Sequence, residues 1–379
     1  MATATYHVGD VFDVMATLPD ASVDLVLTSP PFLALRSYLP DDHPDKAREI
    51  GGEPTPAEFL DTLLALTAEW DRLLAPHGSI CVELGDTYSS PGGTTDNRIS
   101  SNGGNDMVDR RRGGGDGWPL DKSLCGIPTL YAWSLAYGRN LLTGKESPAG
   151  RWRIRNVVAW CRPNPPVGAL GDKFRPATSY ITIATKARDR WFDLDAVRTA
   201  TNPDNERNTC AADGKSDRQT VRTTNPAGAP PLDWWEVTTE PYSGSHYATW
   251  PRKLLTRPIE SMCPREVCRT CGEPRRRIVG DTQEYADFKS QHEWASGGKV
   301  TSNLNRPNID FSMPRVQTFG WTDCGHDDYR RGIVLDPFAG SGTTLAVATG
   351  LGRDAIGIDI DSRNADLAAE RVGMFLEVA

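Results

Sequence analysis

The residues Thr28-Ser29-Pro30-Pro31-Phe32 follow a short apolar segment and combine groups suited to binding a planar amine. The two prolines have no backbone N–H and a fixed φ, so the loop is extended and its carbonyl oxygens are not all used locally. Ser29 adds a hydroxyl and Phe32 adds a flat apolar face. Hydrogen-bond acceptors beside an aromatic ring suit a planar ligand that carries an amino group. On these residues alone, the alternative is a proline-stiffened strand end with a phenylalanine in the core.

A second candidate site is the glycine loop DPFAGSGTT at residues 336–344. Glycines let the backbone approach a ligand at a helix N-terminus, and Asp359, about 20 residues further on, is placed to bind ribose hydroxyls. A dinucleotide site is the runner-up, but Asp336 precedes the glycines and the three-glycine spacing is missing. A Walker loop is excluded because no Lys-Ser/Thr follows the second glycine. A purely structural glycine turn is the remaining alternative.

A cysteine and histidine set predicts a metal site. Cys268-x2-Cys271-Gly has the spacing of a zinc knuckle, a turn that points two thiolates at one metal. Cys324 and His326 complete a Cys3His set, and Cys263 is the alternative fourth ligand. A redox role is disfavoured because no thioredoxin-like context surrounds the pair. The other alternative is a group of unrelated cysteines.

The loops need strands and helices to position them, and the apolar pattern predicts these elements. Strands are predicted at 23–27, 80–84, 333–335 and 355–361, and helices at 54–78, at 345–352 and at 362–378 with Ser362 as a candidate cap. A strand, a glycine loop, a helix and a second strand in this order are typical of a doubly wound α/β sheet.

Composition narrows the class of protein. The 379 residues contain 38% hydrophobic and 24% charged residues, which indicates a soluble globular protein. No apolar run is long enough to span a membrane, and the first residues lack the features of a signal peptide. Eight cysteines in a chain of this length predict a reducing cytoplasm rather than a disulfide scaffold. A net charge of −8 argues against indiscriminate nucleic-acid binding but allows a local basic groove.

Taken together, the two motifs resemble those of the DNA amino-methyltransferases. DPFAGSGTT resembles the S-adenosylmethionine motif of that family, and TSPPF resembles its catalytic Asp/Ser-Pro-Pro-aromatic motif. The catalytic motif comes first, as in the permuted β-type group. Further family-like blocks lie at 7–32, 78–88, 155–167, 179–198 and 246–259, so the resemblance covers roughly two thirds of the chain. Arg162 departs from the pattern, because the family often has lysine there.

The resemblance implies a fold and a set of site residues. The expected fold is α/β, with a doubly wound, mostly parallel seven-stranded sheet of the methyltransferase type. The implied catalytic residues are Ser29, Pro30, Pro31 and Phe32. The implied S-adenosylmethionine site comprises Asp10, Thr28, Asp336, Pro337, Phe338, Ala339, Gly340, Ser341, Gly342, Thr343 and Asp359, with Asp10 at the adenine ring and Asp359 at the ribose.

The implied reaction explains the chemistry of the first loop. An exocyclic base amine is a poor nucleophile and is paired inside a duplex, so the base must leave the stack. Ser29 and the Pro30 carbonyl can accept hydrogen bonds from the amine, and Phe32 can stack on the base. Serine at the first motif position resembles the N4-cytosine group, whereas aspartate is found in most N6-adenine enzymes. Adenine N6 methylation, a non-catalytic nucleic-acid-binding protein, and an RNA or small-molecule substrate remain alternatives.

The same interpretation assigns domains and partners. The predicted catalytic half is residues 1–198, with a mobile basic loop at 89–119, and the predicted cofactor-binding half is 331–379. Between them, a target-recognition segment is predicted at 199–245, a return to the core at 246–262 and a zinc-binding insertion at 263–330. Between 252 and 277, eight Lys/Arg face three Glu, which suits a nucleic-acid backbone. The predicted DNA-binding residues are Arg110, Arg111, Arg112, Arg275, Arg276 and Arg277. The expected partners are double-stranded DNA and a cognate restriction endonuclease. The expected location is the cytoplasm, at the nucleoid through DNA, and no membrane association is expected.

Overall fold

The structure, a computed structural model, describes residues 1–90, 113–165, 171–199, 228–240, 250–291 and 316–379. The chain forms two compact units. The larger comprises 1–192, 232–274 and 328–379, and the smaller comprises 193–231 and 275–327. The sequence-based domain boundaries stay predictions. Within the described residues, no helix has both the length and the apolar character needed to cross a membrane.

The larger unit contains most of the regular structure. Its strands are β1 (Ala4–Val8), β2 (Val23–Thr28), β3 (Leu74–Leu84), β4 (Arg153–Cys161), β5 (Thr178–Thr185), β6 (Trp234–Glu236), β7 (Glu266–Cys268), β10 (Tyr329–Arg331), β11 (Ile333–Asp336), β12 (Asp354–Asp359) and β13 (Leu376–Val378). Its helices are α1 (Val11–Thr17), α2 (Pro56–Leu73), α3 (Ile127–Tyr137), α4 (Arg252–Met262), α6 (Thr343–Gly350) and α7 (Arg363–Val372). The smaller unit contains β8 (Arg277–Asp281), α5 (Gln283–Gln291) and β9 (Val316–Trp321), and β8 pairs with β9 in antiparallel fashion.

The main sheet has nine strands among the described residues, in the order β13-β1-β12-β11-β2-β3-β5-β4-β6. Six of its eight neighbouring pairs are parallel, and β5 is antiparallel to both β3 and β4. Seven strands form the centre, as predicted, and the three-residue strands β13 and β6 extend the two edges. The expected mostly parallel α/β fold is therefore confirmed, with two additional edge strands.

Strand β2 is buried on both faces, which explains its nearly continuous apolar sequence. Val26 packs into a core with α1, α2 and α3, whereas Leu25 and Leu27 pack into a second core with α4, α6 and α7. The carboxyl ends of parallel neighbouring strands meet at one edge of a sheet. The loop after β2 therefore lies at the same edge as the ends of β11 and β12.

Helix α2 begins as predicted but ends earlier. Thr55 caps it by accepting a hydrogen bond from the Glu58 N–H at 3.2 Å, and Pro56 occupies the first turn. The helix was predicted to extend to residue 78, which is wrong, because β3 starts at Leu74 directly after the last helical residue. Gly78 lies inside that strand, where an added Cβ would approach Leu74 Cδ2 to 2.7 Å. The glycine therefore relieves crowding in a strand rather than ending a helix.

The C-terminal prediction of one helix over 362–378 is also wrong. Helix α7 ends at Val372, and Gly373 follows with a φ of +69°, a conformation that favours glycine. The chain then forms β13, which pairs in parallel with β1. Ser362 makes no capping hydrogen bond through its side chain. The Asp361 carboxylate accepts from the Arg363 N–H at 3.0 Å instead.

Candidate active site

A cavity of about 540 Å³ opens at the carboxyl edge of the sheet, within the larger unit. It brings together residues from both predicted motifs. Of the predicted site residues, it is lined by Asp10, Ser29, Pro30, Pro31, Phe32, Pro337, Phe338, Ala339, Gly340, Ser341, Thr343 and Asp359. Thr28, Asp336 and Gly342 do not line it. Residues more than 300 positions apart in sequence therefore share one cavity wall.

Asp336 ties the two motif loops together from beneath the cavity. Its carboxylate accepts hydrogen bonds from Thr28 Oγ1 at 2.7 Å, from the Phe338 N–H at 3.2 Å and from Thr344 Oγ1 at 2.5 Å. The side chain is fully buried, and burial raises the pKa of Asp336 to about 6. Asp336 therefore fixes the loop geometry and does not itself face the cavity.

Asp359 ends β12 and keeps hydrogen-bonding capacity toward the cavity. Its carboxylate accepts from the Gly340 N–H at 2.9 Å, the Asp361 N–H at 2.9 Å and Asn364 Nδ2 at 3.1 Å. A carboxylate has about four acceptor positions, so these three bonds leave room for a ligand donor. Burial raises the pKa of Asp359 to about 6.

Asp10 caps helix α1. Its Oδ1 accepts from the Phe12 N–H at 3.0 Å and the Asp13 N–H at 3.2 Å, and it lies 2.8 Å from Arg48 Nη2. The role at the adenine ring, implied by the family resemblance, stays a prediction. Because the carboxylate is already held by α1 and Arg48, its described contacts position the start of α1 at the cavity rim.

Ser29 is paired with a buried carboxylate that the sequence analysis did not single out. The Ser29 hydroxyl donates to Glu83 Oε2 at 2.6 Å. Glu83 lies near the end of the adjacent strand β3, and it is only 3% exposed. Burial raises the pKa of Glu83, although the neighbouring Ser179 and Ser29 hydroxyls and the charge of Arg162 act in the opposite direction. Since the hydroxyl proton points to Glu83, the lone pairs of Ser29 Oγ are left to accept from a ligand.

Phe32 has its ring position set by a glycine. An added Cβ at Gly85 would lie 2.5 Å from Phe32 Cε2, so only a residue without a side chain leaves room for the ring there. Gly85 directly follows β3 in the chain. The aromatic face and the Ser29–Glu83 pair are therefore presented side by side by β2 and β3.

Several lining residues were missed by sequence reasoning. The most informative are Glu83, Trp160, Arg162 and Trp250. Two of them carried a usable signal: Glu83 is an acid in the apolar segment 80–84, and Arg162 directly follows the apolar segment 157–161. Their relevance depends on which strands are neighbours, and no local pattern specifies that order.

The four predicted metal ligands are divided between the two units. Cys268 and Cys271 lie in the larger unit, and Cys324 and His326 lie in the smaller unit, where Cys324 Sγ is 3.4 Å from His326 Nδ1. Their grouping around one metal stays a prediction. The Cys271 N–H donates to Cys268 Sγ at 3.5 Å, and Gly272 has a φ of +73°, which is the geometry of a knuckle turn. Cys263 lies in the apolar core instead. A set of three thiols and one imidazole suits tetrahedral zinc.

The predicted DNA-binding arginines are placed unevenly. Arg110, Arg111 and Arg112 lie outside the described residues. Arg275 donates to the Thr322 carbonyl at 2.8 Å. Arg277 pairs with Asp193, with 2.8 Å between Nη2 and Oδ2, and stacks over Trp321. Arg276 donates its backbone N–H to Thr322 Oγ1 at 2.8 Å. All three arginines of this run thus make internal contacts, and the contact of Arg275, Arg276 and Arg277 with DNA stays a prediction.

The sheet order, the shared cavity and the two motif loops define the class of protein. The model of the N6_N4_Mtase family, described as DNA methylase, matches residues 23–269 and 328–370. The chain belongs to this family and is a DNA methyltransferase of the N4/N6 class. The family and fold predicted from the sequence are confirmed.

Individual relatives cover nearly the whole chain. The type II methyltransferase M.SmaI of Serratia marcescens is 25% identical over 365 residues, which span 96% of this chain and 89% of that protein. The type II methyltransferase M.XycI of Xanthomonas campestris pv. cyanopsidis is 26% identical over 369 residues, spanning 97% and 87%. The solved structure of PvuII DNA methyltransferase (cytosine-N4-specific) matches 98% of this chain and 86% of its own, with a TM-score of 0.53 and 14% identity. At that identity the structural match concerns the fold.

Proposed function

We propose that the protein transfers a methyl group from S-adenosylmethionine to the N4 amine of cytosine in double-stranded DNA, at a specific site. The observation that carries the proposal is the Ser29–Glu83 hydrogen bond, which turns the motif serine into an acceptor at the wall of the cavity that Asp359 also lines. The type II relatives favour a site-specific enzyme with a cognate restriction endonuclease as partner.

The cavity fits a nucleoside-bearing cofactor. Ile50, Phe338 and Ile360 supply apolar walls, and Asp359 supplies acceptor capacity beside them. Tyr6 donates to the Gly340 carbonyl at 2.8 Å and so fixes the glycine loop. Apolar walls suit an adenine ring and a carboxylate suits ribose hydroxyls. When bound, S-adenosylmethionine supplies the methyl group on a sulfonium.

The chain's own residues prepare the amine. Ser29 Oγ and the Pro30 carbonyl accept its two hydrogens, which directs the nitrogen lone pair toward the methyl donor. Phe32 supplies a stacking face for the extruded base. The amine must lose one proton after methylation, and the described path for it leads through Ser29 to Glu83. Ser29 contacts the reacting group, and Glu83 both positions Ser29 and receives the proton through it.

The identity of the motif residue favours one base over the other. An aspartate at the motif position accepts directly, and a serine alone is an ambivalent group that can donate or accept. Here Glu83 takes the serine proton, so Ser29 presents an acceptor. Adenine N6 is the second candidate, because its amine needs the same acceptors. Ser29, in the motif position of the N4-cytosine group, favours cytosine.

The test is modification-aware sequencing of DNA from cells that express the protein. N4-methylcytosine at one short sequence is expected, and a Ser29→Ala strain serves as the unmodified control. N6-methyladenine at a defined site would assign the second candidate. Unmodified DNA from cells that contain folded protein would contradict the proposal.

Replacing Asp359 is expected to weaken cofactor binding. Asp359→Ala removes charged acceptors, each contributing about 1.5–3 kcal/mol, so the affinity for S-adenosylmethionine should fall about 10- to 150-fold by calorimetry. The pKa of Asp359 is raised to about 6. Ribose donors favour the ionised form, so wild-type affinity should be retained above pH 6 and lost as the pH falls through 6.

Asp366→Ala, an exposed position in α7, is the matched control and should bind normally. Equal affinity in Asp359→Ala and wild type would place the ribose elsewhere.

We also propose that Cys268, Cys271, Cys324 and His326 hold one structural zinc ion. Three thiols and an imidazole make a closed site with no open position for water. Metal binding then supplies folding energy to a segment with little apolar core of its own.

Elemental analysis of protein purified without metal-affinity resin should find one zinc per chain. Cys268→Ser/Cys271→Ser should lose it, whereas the matched control Cys263→Ser should keep it. Removing the zinc should weaken DNA binding before cofactor binding. Zinc well below one equivalent in the wild type, or loss of zinc in Cys263→Ser, would contradict this ligand set.

A further inference from the structure

The cavity has two buried polar atoms that lack a hydrogen-bond partner among the described residues. They are Glu83 Oε1 and Arg162 Nε, and both residues line the cavity. A buried polar atom left unpaired is unfavourable, and such atoms are few in folded proteins. The Ser179 hydroxyl lies beside Glu83, so the atom that indicates a missing ligand is Arg162 Nε on the cavity wall.

The Arg162 guanidinium is held in place by its surroundings. The Arg162 N–H donates to the Ala177 carbonyl at 2.8 Å, which fixes the backbone just after β4. The guanidinium carbon lies 5.1 Å from the centre of the Trp160 ring. Trp160 is fixed in turn, because its Nε1 donates to the Val237 carbonyl at 2.8 Å. A planar guanidinium stacked on a fixed ring presents its N–H groups in a defined direction.

Arg162 and Ser29 are connected through Glu83. Ser29 donates to Glu83 Oε2, and the charges of Glu83 and Arg162 attract each other. Ser29, the acceptor for a base amine, and the guanidinium donors of Arg162 therefore belong to one linked group of side chains at the cavity wall.

We propose that Arg162 is the residue that selects cytosine over adenine, by donating to the ring edge of the extruded base while Ser29 accepts from its amine. Along the edge that pairs in a duplex, cytosine presents an amine and then two acceptors, N3 and O2. Adenine presents an amine, one acceptor and a C–H group. The guanidinium finds two acceptors on cytosine and one on adenine, so adenine leaves a buried charged donor unpaired.

This inference rests on the proposed function, and the test separates the two. Modification-aware sequencing first locates the target base. Two DNA duplexes are then made that differ only in having cytosine or adenine at that position, opposite an abasic site so that base pairing does not differ. The rate constant kcat/KM is measured on both for wild type, Arg162→Met and Arg257→Met. Arg257 is the matched control, since it also stacks over a tryptophan, Trp235 at 5.6 Å, but does not line the cavity.

The expected result is a change in discrimination. Arg162→Met should lose about 10- to 150-fold in kcat/KM on the cytosine duplex, the effect of one charged hydrogen bond, and much less on the adenine duplex. The ratio of cytosine to adenine methylation should therefore fall by about tenfold or more, and Arg257→Met should keep the wild-type ratio. Arg162→Lys keeps the charge but loses the planar set of donors, so its ratio of cytosine to adenine methylation should lie between those of wild type and Arg162→Met. If Arg162→Met does not fold, Arg162→Lys is compared with wild type instead.

Other outcomes overturn the inference. An equal loss on both duplexes, with a reduced salt dependence, would make Arg162 a phosphate contact. If sequencing maps adenine as the target of the wild type, selection of cytosine by Arg162 is rejected, whereas the conclusion that the protein is a DNA amino-methyltransferase stands. Methylation of neither base by folded wild-type protein would overturn the proposed function as well.

Discussion

Ser29→Ala should reduce the single-turnover rate of methyl transfer by about 10²–10³-fold, the effect of removing one preorganised hydrogen-bonding group at a reacting centre. The substitution removes the acceptor for the amine and leaves Glu83 Oε2 without the hydroxyl that now lies 2.6 Å away. Binding of S-adenosylmethionine should be unchanged, because Ser29 lies at the base and the cofactor contacts are assigned to β11 and β12. Rapid quenching with labelled cofactor gives the rate, and calorimetry gives the affinity.

The matched control is Ser22→Ala at the other end of the same strand. Ser22 is half-buried, and its hydroxyl donates to the Pro19 carbonyl at 2.6 Å, outside the cavity. It should transfer methyl groups at the wild-type rate. A wild-type rate in Ser29→Ala would reject the mechanism, and a weaker cofactor affinity in that variant would move Ser29 to the cofactor.

Glu83→Gln is expected to lower kcat by about 10²–10⁴-fold, the range for a group that takes part in proton transfer. Glutamine keeps the shape and hydrogen-bonding reach of the side chain but cannot accept a proton at neutral pH. Burial raises the pKa of Glu83 above its ordinary value of 4.5. The ionised form is the active one, so wild-type kcat should fall as the pH drops through this raised pKa, and the fall should be absent in Glu83→Gln.

The pH dependence is measured at saturating cofactor, because Asp359 also has a raised pKa and its protonation weakens cofactor binding. Glu69→Gln is the control, since Glu69 lies on α2 and contacts Arg72 outside the cavity. Its pH profile should match that of the wild type. The same acid limb in wild type and Glu83→Gln would mean that another group titrates.

The sequence predicted those features that local patterns encode. The β2 strand, the start of α2 and the glycine loop each have a short-range signature, and all three are found. The family resemblance of the two motifs implied one catalytic and cofactor-binding site, and in the structure the parallel strands deliver both loops to one edge of the sheet. Twelve of the fifteen catalytic and cofactor positions named from the sequence line the cavity.

The errors and omissions have a common physical cause. Two strands start within the segments 74–78 and 373–378, without a turn segment that would mark the change from the preceding helix. Both were therefore assigned to that helix. Asp24 illustrates the other limit, because it interrupts an apolar strand without any local reason. In the structure it accepts from His77 at 2.8 Å and from Arg330, 306 residues away, and these partners bring the pKa of this buried carboxyl below its ordinary value despite the opposing effect of burial. Contacts at that separation leave no periodic trace in the chain.

The position of β2 between β3 and β11 has a consequence for biosynthesis. The Thr28–Asp336 hydrogen bond joins residues 308 positions apart. At about 5–20 residues per second, a ribosome takes roughly 15–60 s to complete the distance between them. During that interval the nascent chain carries an apolar strand edge that has no neighbour, which is a site for mispairing with other chains and for chaperone binding. The protein therefore acquires its cofactor loop, and with it any ability to modify DNA, only after the ribosome has passed residue 336.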